Sequence, residues 1–391
     1  MIIFYTIFIV FIICHCKFGD CVAQLSCSEK NNHNNHKNNN KVVFLHVFKC
    51  GGSTIRRILR SYSKLCTVSL ATLTECNFNT KEIKSSRNGD VFPCKLKDFY
   101  LPSNPDFVSE RVVLKSSDKS SIIRNPHINF MNKFDIIQGH VHYDMKGLPP
   151  IDTTSYITWL RNPLSMLISA SMYVLSEEID GMSETSLYNK IFDDLEKRVV
   201  SPKHVVGSEK IYSMYAYYFL NESSTDLQYT KSKTIINKII NNINKFQTIG
   251  ILENQQVSIA MLRMLIDTNN DMNPQFWKSA TKVQSNTQQS NSKHNITSSS
   301  VVSTLKASRG TLWKKIIRCL EPEYQIYEYA LDLHINYCKQ LLKTESERFS
   351  EFIIYSSSSH NHDKTGQNAD LCMDALNKLP RYAQLTSQNK K

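Results

Sequence analysis

One stretch, KVVFLHVFKCGGSTIRRILRS over Lys41–Ser61, limits what this chain can become. Val42, Val43, Phe44, Leu45 and Val47 form an apolar, β-branched run too short for a core helix, which predicts a strand buried on both faces. The run leads into Lys49-Cys50-Gly51-Gly52-Ser53-Thr54. Ile55, Ile58 and Leu59 then fall at helical spacing between Arg56, Arg57 and Arg60. A strand, a glycine turn and a helix in that order aim backbone N–H groups and a helix dipole at an anion. Gly51 and Gly52 allow a tight turn with no side chain in the ligand's way. Ser53 and Thr54 are expected to cap the helix and to donate to phosphate oxygens. A strand–helix junction without a ligand has the same glycines, so they do not decide the matter alone. The nucleotide loop G-x-x-x-x-G-K-[ST] does not fit, because its lysine follows the glycines and Lys49 precedes them.

Beyond the loop, residues Cys66–Asn132 are poorly patterned, with scattered prolines and isolated pairs (Val112-Val113, Ile122-Ile123). They predict loops with a short strand or two. Phe134–Ile137 reads as a strand, with Asp135 in mid-strand, running into Gln138-Gly139-His140-Val141-His142-Tyr143. Ser155–Leu160 is a second strand ending at Arg161-Asn162-Pro163. Leu164, Leu167, Ile168, Ser171, Met172 and Leu175 then mark a helix whose first turn suits Pro163. Helical patterns recur over Leu187–Lys197, Glu209–Leu220 and Thr234–Ile243. A strand-like run over Gln247–Ile251 precedes a helix over Gln255–Ile266, and helices around Leu312–Leu342 close the domain. Gln284–Ser300, rich in Ser, Asn and Gln, is expected to be a mobile loop. The alternation predicts an α/β fold with a central, mostly parallel sheet between helical layers. Ligands of such sheets sit at the carboxyl ends of strands.

Three strand ends then carry polar residues toward one edge: Lys49 with its glycine turn, His140 with His142, and Arg161 with Ser169. A guanidinium fork joined by a helix hydroxyl suits a second phosphate; the alternative is that Arg161 pairs with a structural carboxylate. Two anion sites from different strands imply a nucleotide with phosphates at both ends of its ribose. A histidine supplies a base near neutral pH. His140 and His142 also form half of a metal site, but no third ligand is apparent. His46 is assigned to the strand.

These motifs resemble, in order, those of sulfotransferases that use 3′-phosphoadenosine 5′-phosphosulfate (PAPS). Lys49–Thr54 is similar to their 5′-phosphosulfate loop. Leu160-Arg161-Asn162-Pro163 with Ser169 is similar to their 3′-phosphate motif, L-R-D-P followed by a serine. Gly139-His140-Val141, Ile249–Glu253 before an apolar helix, and Trp313-Lys314 with Tyr324, Tyr327, Tyr329 and Ala330 resemble elements of the Golgi carbohydrate sulfotransferases. Within that group the likeness is greatest to the heparan sulfate and uronyl 2-O-sulfotransferases, over Val42–Leu342. Asn162 stands where the family has aspartate, and reads as a structural cap. Gln138 stands where the 2-O enzymes often have another histidine, and the basic patches that grip heparan chains are not evident.

The resemblance implies a P-loop-like, three-layer fold and transfer of a sulfuryl group from PAPS, the co-substrate, to a hydroxyl of a glycan or glycosaminoglycan. It implies an in-line displacement without metal, with His140 ahead of His142 as base and Lys49 at the bridging oxygen. Lys49, Cys50, Gly51, Gly52, Ser53 and Thr54 would surround the 5′-phosphate, and Arg161 and Ser169 the 3′-phosphate. The stretch Ser292–Thr297 is a candidate cover for the adenine. Two other classes compete. A kinase with a divergent phosphate loop needs an acidic Mg²⁺ ligand at a strand end. A non-catalytic glycan-binding protein on the same fold would be marked by loss of Lys49, the glycines or Arg161, all of which are present.

Charge and targeting bear on partners and compartment. The net charge of +12 and pI near 9.0 favour phosphates or polyanions, while no basic run with interleaved aromatics marks a nucleic-acid groove. Residues 1–19 are expected to be a signal peptide or short signal-anchor, since their apolar run of about 14 residues is short for a membrane span. Residues 20–40, with NNHNNHKNNN, form a low-complexity linker, 41–346 the sulfotransferase-like domain and 347–391 a flexible tail. The expected location is the Golgi lumen, as a single-pass type II membrane protein anchored by that segment, or secretion after its cleavage. Sequons at Asn221 and Asn295 agree with export. Of eleven cysteines, Cys66, Cys76 and Cys94 crowd one segment and Cys319 and Cys338 flank another, so one or two disulfides are expected.

Overall fold

The computed structural model describes residues 41–74, 95–101, 104–109, 133–143, 145, 147–175, 178, 181–200, 205–206, 209–210, 214–220, 233–267, 276–277, 296–350, 381 and 384. Strand β1 (Lys41–Leu45) has no polar face to offer water, and it takes the most protected place: Val43, Phe44 and Leu45 are fully buried. Helix α1 (Gly52–Leu65) leads from it to β2 (Leu70–Thr74). Strands β3 (Lys95–Leu101), β4 (Asn104–Ser109), β5 (Ile136–Gly139) and β6 (Thr154–Leu160) follow. Helices α2 (Pro163–Val174), α3 (Glu184–Val200), α4 (Met214–Leu220) and α5 (Lys233–Ile243) come next. A small ribbon of β7 (Val205–Val206) and β8 (Glu209–Lys210) lies between α3 and α4 in sequence. Strand β9 (Thr248–Ile251) precedes α6 (Gln255–Ile266), α7 (Ser298–Ser308), α8 (Gly310–Cys319) and α9 (Glu321–Thr344).

The main sheet has seven strands in the order β4-β3-β2-β5-β1-β6-β9. The five from β2 to β9 are parallel, and β3 and β4 extend one edge antiparallel. The order contains a reversal. From β1 the chain crosses by way of α1 to β2 on one side, whereas from β6 it crosses by way of α2–α5 to β9 on the other. With right-handed crossovers, α1 and α2–α5 fall on opposite faces, and a crevice opens between the carboxyl ends of adjacent β1 and β6. Lys49 follows β1 and Arg161 follows β6, so the two expected anion-binding turns flank that crevice.

Several expectations need correction. The weakly patterned segment after α1 supplies three strands, because β2 is buried like a central strand while β3 and β4 pair as an antiparallel edge. Val112-Val113 and Ile122-Ile123 lie outside the described residues. Glu209 and Lys210 belong to the ribbon, and the helix expected from Glu209 begins at Met214. The loop expected through Ser300 ends earlier, because Thr297 and Ser300 form a reciprocal capping box that starts α7. Neither Cys319 nor Cys338 is in a disulfide. The continuous α9 carries Cys338 roughly 25 Å along its axis from the end of α8, at about 1.5 Å per residue, far beyond disulfide reach. Cys66 is disulfide-bonded. The N-terminal segment, the linker, both sequon asparagines, Cys76 and Cys94 lie outside the described residues. Phe349, just past the expected domain end, is fully buried in the core.

Asp135 precedes β5 and does not sit within it; it lies at the amino edge of the sheet, opposite the crevice. Its carboxylate accepts from the Ser69 amide at 3.0 Å and the Ser69 hydroxyl at 2.6 Å, which pins the start of β5 to the start of β2. Asp135→Ala should therefore cost about 1–3 kcal/mol of stability in urea denaturation. Unchanged stability in Asp135→Ala would contradict this structural role.

Candidate functional site

The sheet register builds the site. Leu45 of β1 pairs with Gly139 of β5, and one residue further on His46 and His140 leave the sheet side by side. Their rings stack at 4.1 Å. His140 Nδ1 lies 2.9 Å from the His46 carbonyl and 3.1 Å from the Tyr218 hydroxyl of α4. A carbonyl only accepts, so Nδ1 carries the proton and Nε2 keeps its lone pair. Burial, then the positive charges of Arg56 and Lys97, lowers the His140 pKa to about 4 against the opposing pull of the His46 carbonyl. His140 is half-buried and remains accessible. His142 is buried, with Nδ1 2.6 Å from the Tyr217 carbonyl, and burial lowers it to about 4 as well. The His46 ring is buried, its pKa lowered by burial and by neighbouring His140.

Gly52 explains how that pair fits. A Cβ there would lie 1.7 Å from His46 Cδ2 and 1.9 Å from Nε2, so the first residue of α1 has to be glycine for His46 to lie over it. Gly51 takes the left-handed conformation (φ 78°) as the N-cap of α1, and no side chain caps the helix. The expected capping by Ser53 and Thr54 does not occur, since both already lie inside the helix. The Thr54 amide turns back to the Gly51 carbonyl at 3.0 Å. The amides of Gly52 and Ser53 have no intrahelical acceptor, and no acidic residue occupies the first turn. That leaves an uncompensated positive helix end, the condition an anion needs. Cys50 is buried with its thiol 3.6 Å from Met166 Sδ and its amide bonded to the Val47 carbonyl at 3.3 Å, so its polar groups are already engaged within the protein. Burial raises its thiol pKa well above the usual value.

Lys49 also has a left-handed backbone (φ 61°). Its ammonium lies 4.3 Å from the centroid of the Tyr173 ring and 5.7 Å from that of Phe48. Burial and the adjacent Arg161 bring its pKa down to about 8. Arg161 Nη1 donates to the Lys49 carbonyl at 3.2 Å, which joins the two expected anion-binding turns directly. Beneath Arg161 is a polar support. The Tyr215 hydroxyl donates to the Arg161 carbonyl. The Asn162 amide donates to Glu253 Oε1 at 2.9 Å, and Tyr327 donates to Glu253 Oε2 at 3.2 Å. Asn162 caps α2 through the Ser165 amide and accepts from the Tyr324 hydroxyl at 3.0 Å, the structural role expected of it. Ser169 is buried on α2, and no hydrogen bond joins it to Arg161.

Lys49, Gly51, Gly52, Ser53, Thr54, Arg161, His140 and His142 thus come from three adjacent strand ends to one edge. His46 is a neighbour of His140 that no motif marks, because their pairing follows from strand register. Phe48, Tyr173 and Tyr218 likewise join the site without a sequence motif. The Tyr-rich run of α4, MYAYYFL, was a compositional signal without a motif. Of the expected adenine cover Ser292–Thr297, only 296 and 297 are described. No protein-family model and no curated protein matches the chain.

Buried His46, His142 and His334, with half-buried His140, have folded-state pKa values below the ordinary 6.5, those of His140, His142 and His334 being about 4. Between about pH 4 and 6.5 the unfolded chain takes up more protons than the folded one, so stability falls as pH falls through that window. Urea unfolding at pH 7.5 and pH 5 should differ by on the order of several kcal/mol. Equal stability at the two pH values would show that these rings are charged or exposed in solution.

Proposed function

We propose that the protein transfers a sulfuryl group from PAPS to a hydroxyl of a carbohydrate acceptor in the secretory pathway, on a P-loop-like sheet. The observation that carries this reading is the direct bond between Arg161 and the Lys49 turn across the β1/β6 crevice, with His140 alongside. A donor with phosphates at both ends of its ribose has the charge pattern that these two turns complement. The Gly52 and Ser53 amides, with the hydroxyls of Ser53 and Thr54, would hold the 5′ side. Arg161, with Ser169 of α2, would hold the 3′-phosphate.

In the chemistry, His140 Nε2 takes the proton of the acceptor hydroxyl while that oxygen attacks sulfur. The bond from sulfur to the 5′-phosphate oxygen breaks, and Lys49 meets the charge that develops there. Products are the sulfate ester and adenosine 3′,5′-bisphosphate. His140 is neutral above about pH 4 and so is already a base at neutral pH. Lys49 is charged below about pH 8 and would have to leave the Tyr173 face to act. The kinase alternative lacks support at Asp135, which is on the opposite edge.

Transfer of labelled sulfate from PAPS to a glycan panel tests the reading. Arg161→Ala should weaken adenosine 3′,5′-bisphosphate binding roughly 100-fold, the size of a charge-assisted bond. Lys49→Ala should lower kcat roughly 10²–10³-fold. His140→Ala should spare bisphosphate binding and lower kcat roughly 10²–10⁴-fold. Wild-type kcat/KM should fall as pH rises through about 8, as free Lys49 loses its proton. Full activity in His140→Ala with loss in His142→Ala would transfer the base role to His142.

A further inference from the structure

We infer that Phe48 and Tyr173 form the platform on which the acceptor's sugar ring lies, and that Tyr173 helps set which acceptors react. The inference rests on the sulfuryl-transfer reading. A hydroxyl that gives its proton to His140 while attacking a sulfur beside Lys49 has to lie between those two side chains. Phe48 spans that interval, its ring centroid 6.4 Å from that of His140 and 5.7 Å from Lys49 Nζ. Tyr173 meets Phe48 edge to face at 5.9 Å and carries the surface outward. Tyr173 at 52% and Val174 at 42% are the large apolar side chains left exposed among the described residues.

Charge selects the occupant. An aromatic face carries negative potential, which is why the Lys49 ammonium rests on Tyr173 at 4.3 Å. Once Lys49 turns to the leaving oxygen, that face suits the weakly positive C–H face of a pyranose and repels an anion. Positive charge acts on His140 from other elements: Arg56 of α1 and Lys97 of β3. Arg56 lies one turn beyond Gly52, on the face of α1 that meets His46, while neighbouring Arg60 is engaged by Asp98 at 2.8 Å. An acceptor would therefore lie with its C–H face on Tyr173 and any carboxylate or sulfate directed toward Arg56.

The test compares full-length wild type with Tyr173→Ala, Tyr173→Phe and Tyr173→Trp, using two probes: chondroitin and N-sulfated, O-desulfated heparin. Bisphosphate binding is measured in parallel. Tyr173→Ala should raise the acceptor KM roughly tenfold, the effect of losing one ring contact, with the bisphosphate Kd unchanged. The Phe and Trp variants should keep the wild-type KM. Saturation-transfer NMR with the bisphosphate bound should show sugar C–H protons against the wild-type protein and a lost signal in Tyr173→Ala. An unchanged KM in Tyr173→Ala overturns the platform, and so does an equal rise in Tyr173→Phe, which would assign the hydroxyl and not the ring. Loss of bisphosphate affinity in Tyr173→Ala overturns it by assigning the residue to the donor. Wild type that binds bisphosphate but sulfates neither probe also ends the platform while the donor site stands. Wild type that binds no bisphosphate ends the sulfuryl-transfer reading itself.

Discussion

The hydrogen bond from Arg161 Nη1 to the Lys49 carbonyl ties the exit of β1 to the exit of β6, and the geometry of the site follows from it. A guanidinium bonded to main chain cannot drift with a flexible side chain, so it orders both turns at once. It is itself ordered from below. Tyr215 holds the Arg161 carbonyl, Glu253 holds the Asn162 amide, and Tyr324 and Tyr327 reach back from α9 to Asn162 and Glu253. Such a network is costly when half-satisfied and rigid when complete. Its members come from the end of β6, α4, the turn after β9 and α9, so α9 buttresses a turn more than 150 residues before it.

Electrostatics in the crevice follow a division of labour. The histidines are held neutral by burial and by nearby cations, while Lys49 keeps its charge near neutral pH but only narrowly. Arg161 contributes to that narrowness, since two cations share one edge without a compensating acid in the first turn of α1. An anion placed between them would relieve the repulsion and draw the Lys49 pKa upward. The ligand-free crevice is thus electrostatically strained in the sense that favours a polyanionic ligand, and the strain lies where the strand order reverses.

Much of this was legible in the sequence, and for identifiable reasons. The doubly buried run Val42–Leu45 predicted a central strand because no other place suits such a pattern. Gly51-Gly52 and Asn162-Pro163 marked helix starts through local backbone chemistry, and α2 and α6 begin where their patterns predict. What stayed hidden depends on contacts between distant segments. Strands β3 and β4 have little apolar periodicity and are specified by pairing on β2. His46 gained its place beside His140 through strand register. Tyr173 looked like one more residue of an apolar helix, and its position over Lys49 follows from how α2 crosses the sheet. Which cysteines pair was hidden too: Cys66 is disulfide-bonded, while the unbroken α9 carries Cys338 away from Cys319.

Isothermal titration of the wild-type protein with adenosine 3′,5′-bisphosphate, adenosine 5′-monophosphate and Mg-ATP tests the central claim most directly. If Lys49 and Arg161 grip the two ends of one donor, the bisphosphate should bind roughly 100-fold more tightly than the monophosphate, the value of one added charge-assisted phosphate contact. Equal affinity for the bisphosphate and the monophosphate, or preference for Mg-ATP, would contradict it.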